Sequence, residues 1–123
     1  MLRDKYPVDP LFMLVLEITE IEIDPELVEI DRILDDDEIF QLIKRDLSQR
    51  HPKTLITGRH STPVEVVIRE MAVKHLYDWS YEDTAQFVND SLVLRWFCRV
   101  YLNLVSSDKT LLRWVNTLEI KFL

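Results

Sequence analysis

Residues 57–118 read TGRHSTPVEVVIREMAVKHLYDWSYEDTAQFVNDSLVLRWFCRVYLNLVSSDKTLLRWVNTL. Within this stretch, Thr62-Pro63-Val64-Glu65 has the form of a helix start. A hydroxyl cap precedes proline at the first helical position, and a glutamate stands three residues after the cap. Val64, Val67, Ile68, Met71, Ala72, His75, Leu76 and Trp79 then recur at i, i+3, i+4, i+7, which predicts one amphipathic helix with these residues inward. Glu65–Arg69 and Glu70–Lys74 are acid-before-base pairs one turn apart, expected on its outer faces. Ser80, with Asp83 three residues on, opens a short helix that presents Tyr81, Thr84, Ala85 and Val88. Asn89-Asp90 predicts a tight turn, because Asn tolerates the left-handed conformation. Ser91 caps an expected helix Leu92–Leu102, and Ser107 another over Asp108–Leu118. The fold class predicted from these capped segments is all-α: a compact multi-helix domain, helix-turn-helix-like at the Asn89-Asp90 turn.

Composition agrees with this class. The 123 residues suffice for one core, and 47% hydrophobic with 30% charged residues describes a globular chain rather than a disordered one. One glycine is far too few for a turn-rich sheet protein. Cys98 has no partner in the chain for a disulfide, which suits a reducing, cytoplasmic setting. No secretory leader is read in the N-terminal residues, and the apolar runs are too short and too interrupted by charge to cross a bilayer, so no membrane partner is expected.

The net charge of −7 is unevenly spread. Residues 1–50 hold 14 acids against 6 lysines and arginines, a balance of −8, whereas residues 51–123 hold 8 against 9. The first fifty residues therefore read as an acidic helical N-terminal arm, 51–61 as a basic linker, 62–118 as the helical domain and 119–123 as a tail. In the arm, Leu11, Leu14, Val15 and Ile18 have helical spacing, although Leu16-Glu17-Ile18 and Ile21-Glu22-Ile23 alternate as a strand would. Asp24-Pro25 starts a clearer helix with Leu27, Ile30, Ile33 and Leu34 on one face. Asp36 or Asp37 caps the next, presenting Ile39, Leu42, Ile43 and Leu47. The run Asp35-Asp36-Asp37-Glu38 suits a helix N-terminus better than a metal site.

Candidate chemistry is confined to cations. Arg95 and Arg99 lie one turn apart on the expected helix Leu92–Leu102, and Lys109 and Arg113 form a matching stripe on the last helix. Such stripes can contact phosphates or base edges. The plainer alternative is that arginine simply solvates one face of an apolar helix. Lys74, Arg59 and Lys53 are secondary candidates. His75 lies on the apolar face and reads as a core residue, His51 and His60 are loop residues without zinc-site spacing, and Cys98 reads as a small buried hydrophobe. Trp79, Trp96 and Trp114 read as core anchors. No catalytic residue, metal site, cofactor or small-molecule substrate is indicated.

The phrases TPVEV, KHLYDWSYE, NDSLVLRWFCRVY and TLLRW, with VEIDRILDDDEIFQLIKRDL upstream, resemble the InsH-type N-terminal domain of bacterial insertion-sequence transposases, most nearly the ISNCY-like group. The likeness spans roughly residues 24–118. It implies an α-helical module that recognises transposon ends, the double-stranded terminal inverted repeats, or assembles with itself or a full-length transposase at the nucleoid. In such proteins a separate catalytic domain holds two divalent metals with Asp, Asp and Glu. The resemblance finds none of those three positions in this chain, so a truncated copy without its own strand-transfer activity is the expectation, with a dimerisation module or a non-functional remnant as alternatives.

Overall fold

The computed structural model describes residues 5–50 and 62–109. It is all-helical, with no strand among the described residues. The helices are α1 (Pro10–Thr19), α2 (Pro25–Leu34), α3 (Asp37–Arg50), α4 (Val64–Tyr77), α5 (Tyr81–Asp90) and α6 (Leu92–Phe97). Residues 108 and 109 are also helical; the remainder of the expected last helix lies outside the described residues.

Three aspartates start the acidic half. Asp9 Oδ1 accepts the amides of Leu11 and Phe12 at 3.0 and 3.2 Å, with Pro10 behind it at the first helical position. Asp24 repeats the device for α2, accepting the Glu26 amide at 2.9 Å. Asp36, the first of the two residues expected to cap α3, accepts the amides of Glu38 and Ile39 at 2.8 and 3.3 Å. The strand-like alternation around Ile18 thus gives way to a helix, because the Asp9-Pro10 cap fixes the first turn. Two inward faces differ from expectation. Leu27 is buried with Ile30 and Leu34 against the core, while Ile33 is exposed; in α3 Phe40 is the buried residue and Leu42 is exposed.

The start of α4 also differs. The helix begins at Val64 with Pro63 as its N-cap, and no side chain caps it. Thr62 Oγ1 instead accepts a hydrogen bond from Ser106 Oγ at 3.2 Å, tying the helix entry to a distant loop. Val66, Arg69, Glu70 and Val73 are buried as well as Val64 and Val67, so α4 is enclosed on almost every side. His75, expected inward, is exposed. Glu65–Arg69, expected outside, is an interior pair.

Ser80 Oγ accepts the Asp83 amide at 3.0 Å and starts α5, which buries Thr84 and Val88. No separate turn forms at Asn89-Asp90, because both residues finish α5. Ser91 alone joins the helices, extended at φ −113° and ψ 123°, and its Oγ caps α6 by accepting the Leu94 amide at 3.2 Å. The expected helix Leu92–Leu102 stops at Phe97. Arg99 adopts φ 61°; its amide bonds Trp96 O at 3.1 Å and the Val100 amide bonds Arg95 O at 3.0 Å. This is the Schellman stop, built here with arginine in the left-handed position that glycine usually fills. Glu20 and Asp78 end α1 and α4 in the same left-handed region.

The core joins Leu27 of α2 to Val66 and Val73 of α4, Val88 of α5, and Leu94, Phe97, Cys98 and Val100. A smaller cluster of Phe40, Val64 and Val67 seals α3 to the start of α4. Residues of the acidic half and the later helices therefore share one interior. Among the described residues, no helix is long and apolar enough to cross a membrane.

Candidate nucleic-acid interface

The cations expected to face outward divide into two groups. Arg95 is half-buried and its guanidinium is occupied by the protein itself. Nε and Nη2 donate to Asn89 O and Asn89 Oδ1 at 2.9 and 3.0 Å, and Nη1 donates to Tyr101 O and Asn103 O at 2.9 and 3.0 Å. The side chain clamps the end of α5 to the loop after α6, satisfying carbonyls that the helix ends leave open. Arg99 is past the end of α6, so the two arginines do not share a helix face. Its Nη1 donates to Trp96 O at 2.8 Å, its Nη2 donates to Asp31 Oδ1 at 2.6 Å, and its guanidinium lies 5.2 Å from the Trp96 ring centroid.

Lys74 and Lys109 are placed differently. Lys74 is half-buried with Nζ 4.4 Å from the Tyr81 ring centroid. Lys109 is exposed at the first turn of the helix that begins at 108. Lys53, Arg59 and Arg113 lie outside the described residues, as do His51, His60 and Trp114.

Sequence reasoning missed a buried charge network beneath this surface. Arg69 is 1% exposed; its Nη1 donates to Asp31 Oδ1 and to Phe97 O at 3.0 Å. Asp31 Oδ1 thus bridges Arg69 and Arg99, and Asp35 stands 3.8 and 3.9 Å from the same two guanidinium groups. Glu65 Oε2 approaches Arg69 Nε at 3.9 Å and Lys5 Nζ at 3.5 Å. Acids and cations of the N-terminal segment, α2, α4 and the end of α6 are joined in one chain of contacts. The negative partners offset the burial of the arginine charge, although only Nη1 is hydrogen-bonded and Nε and Nη2 have no hydrogen-bond partner among the described residues. One signal was available: α4 carries Val66 and Val73 off its main apolar stripe, as a helix buried all round should.

Glu70 has no such compensation. It is fully buried and neither carboxylate oxygen has a hydrogen-bond partner among the described residues. Burial pushes its pKa from 4.5 to about 8, so the carboxyl stays protonated at neutral pH. The buried Cys98 thiol is raised well above its ordinary value, first by burial and then by Glu70 where that group is ionised; it packs as a small apolar group. Trp79 and Trp96 are half-buried and pack against the core. Trp79 lies between Tyr77 and Phe87, with ring centroids 4.7 and 4.5 Å away.

No group of three or more His, Cys, Asp or Glu side chains is arranged to hold a metal ion among the described residues. Between α5 and the segment 105–108 there is an open cleft of about 300 Å³, bordered by Glu82, Gln86, Asn89, Ser107 and Asp108. Two carboxylates on its rim make it a poor seat for a phosphate.

Comparison with known proteins gives one result of length. No curated protein and no solved structure matches the chain. The transposase domain (DUF772) matches residues 17–117, a span that contains α2 to α6 and both clusters of the core. On that match, which covers most of its length, the chain belongs to the transposase domain (DUF772) family and has a transposase-related role.

Proposed function

We propose that the chain is a DNA-recognition and assembly module of an insertion-sequence transposase, acting on the double-stranded terminal inverted repeats. Strand transfer itself would fall to the metal-dependent catalytic domain that transposases of this kind carry. The observation that carries the reading is the family match over residues 17–117. The excess acid lies in residues 1–50, so DNA contact is assigned to the later residues, whose charges are balanced.

Geometry refines the contact set. Arg95 and Arg99 spend their donors on internal carbonyls and on Asp31, so their role in this reading is to build the surface rather than to touch DNA. Phosphate contact falls to Lys109 and Arg113, with Lys74, Arg59 and Lys53 in support. Mobility-shift titration on inverted-repeat DNA at several salt concentrations tests this. Lys109→Ala/Arg113→Ala should weaken binding and reduce the slope of log affinity against log salt by about two. Arg95→Ala/Arg99→Ala should lower the urea midpoint while the DNA affinity of the folded fraction holds. Salt-independent binding, or no binding by the unaltered chain, would refute the proposal.

A further inference from the structure

We propose that residues 7–22, with α1 at their centre, form a latch that opens as one unit while the core stays folded, and that its closed form holds Tyr101 in a left-handed turn.

The segment is tied to the core at its two ends. Tyr6 before it and Ile23 after it pack against the main cluster. Between them α1 buries one residue, Phe12, which is 1% exposed. The Phe12 ring meets Tyr101 edge-on at 5.6 Å, and neither residue belongs to either core cluster. α1 thus docks through a satellite contact rather than through the interior. Its side-chain hydrogen bonds among the described residues stay within the helix and its cap: Asp9 accepts from Leu11 and Phe12, and Thr19 Oγ1 donates to Val15 O and Leu16 O.

Opening uncovers little apolar surface. Leu11, Leu14, Val15 and Ile18 are already exposed, so separation adds Phe12 and parts of Met13 and Leu16. Residues 5–9 and 21–24, on either side of the helix and its left-handed end, have no regular structure and can absorb the movement. A ten-residue helix is too short to persist alone, so α1 melts as it leaves. Segments with so few buried contacts open at a lower free energy than the core beneath them.

The partner side depends on the latch. Tyr101 adopts φ 54°, and Arg99, two residues earlier, φ 61°. A bulky side chain is unfavourable in that region and stays there only where its surroundings hold it. Arg95 Nη1 donates to the Tyr101 carbonyl at 2.9 Å, and Phe12 covers the ring. When Phe12 leaves, one of these two holds goes, and the turn from Tyr101 to Asn103 loosens. This turn leads on to Lys109, whose phosphate contact is proposed above; the latch itself stands whether or not DNA binds.

Native-state hydrogen exchange of the 1–123 chain in low urea reads the opening. Relative to their intrinsic rates, the amides of residues 14–19 should exchange at least about tenfold faster than those of α4, with a shallow urea dependence. The Asn103 amide, bonded to Val100 O at 3.1 Å, should follow α1 rather than α4. The open form remains a minor population that global unfolding overtakes in urea, so the bulk transition stays single. Phe12→Ala should lower protection of α1 and of the Asn103 amide at least about tenfold further, with α4 little changed. Tyr101→Gly should release α1 likewise but spare the Asn103 amide, because glycine keeps a left-handed turn without a ring to hold it. Exchange of α1 with the same urea dependence as α4 overturns the proposal. So does an equal loss of protection in α4 of the Phe12→Ala chain, since either result makes α1 part of the core. An Asn103 amide unmoved by Phe12→Ala, or released equally by both substitutions, overturns the hold on Tyr101.

Discussion

Glu70 stands four residues before Lys74, a surface-pair pattern, yet its carboxyl is wholly enclosed and unpartnered among the described residues. Burial of the charged form costs far more than burial of the acid, so the folded protein keeps the proton up to about pH 8. The unfolded chain releases it near 4.5. The folded state therefore binds one more proton between those values, and stability falls as pH rises through that window, by at most about 1.4 kcal/mol per pH unit. Above about pH 8 both states are ionised and this slope vanishes. Glu70→Gln removes the titrating group, so its urea-unfolding free energy should lose this component and exceed that of the unaltered chain at pH 8. An identical pH profile for both proteins would mean that Glu70 ionises freely in the fold.

At the scale of the element, helix starts were more legible than helix stops, although the expected Thr62 cap of α4 does not form and the Asp9 cap of α1 is not among those expected. Asp24-Pro25, Ser80 and Ser91 announce their helices through side-chain oxygens placed for orphan amides, and all three cap as expected. The stops of α1, α4 and α6 depend on left-handed residues, and in a chain with one glycine these fall to Glu20, Asp78 and Arg99, which carry no such signature. Hence α6 reads as eleven residues in sequence and is six residues long in the fold. The Arg95/Arg99 stripe fails with it, since the second arginine lies past the Schellman turn. Ser91 is the sharpest junction, ending α5 and capping α6 with nothing between. Ser91→Ala leaves the Leu94 amide without its oxygen and should cost about 1 kcal/mol in urea unfolding. Ser91→Gly should cost less, because glycine is itself tolerated at a cap; equal losses would remove the hydroxyl from the explanation.

Across the whole molecule, periodicity identified the all-α class but not how its two compositional halves meet. Hydrophobic patterns report which face of a helix is apolar, not which distant helix covers it, and ion pairs between residues 38 and 68 positions apart leave no local trace. The acidic half packs Leu27 into the cluster built by Val66, Val73, Val88 and Phe97, and lends Asp31 to both Arg69 and Arg99. If that shared interior governs unfolding, damage in α2 must be felt by reporters elsewhere. Leu27→Ala removes a nearly fully buried side chain and leaves a cavity, which should cost about 3 kcal/mol. Trp79, between α4 and α5, and Trp96, in α6, pack against the same core, so their fluorescence reports on that half. In urea, the fluorescence and far-ultraviolet dichroism transitions of Leu27→Ala should move to lower midpoint together and remain coincident, as one cooperative unit requires. A fluorescence midpoint that stayed in place while part of the dichroism was lost earlier would instead mean that the acidic half unfolds by itself, as a separate arm would.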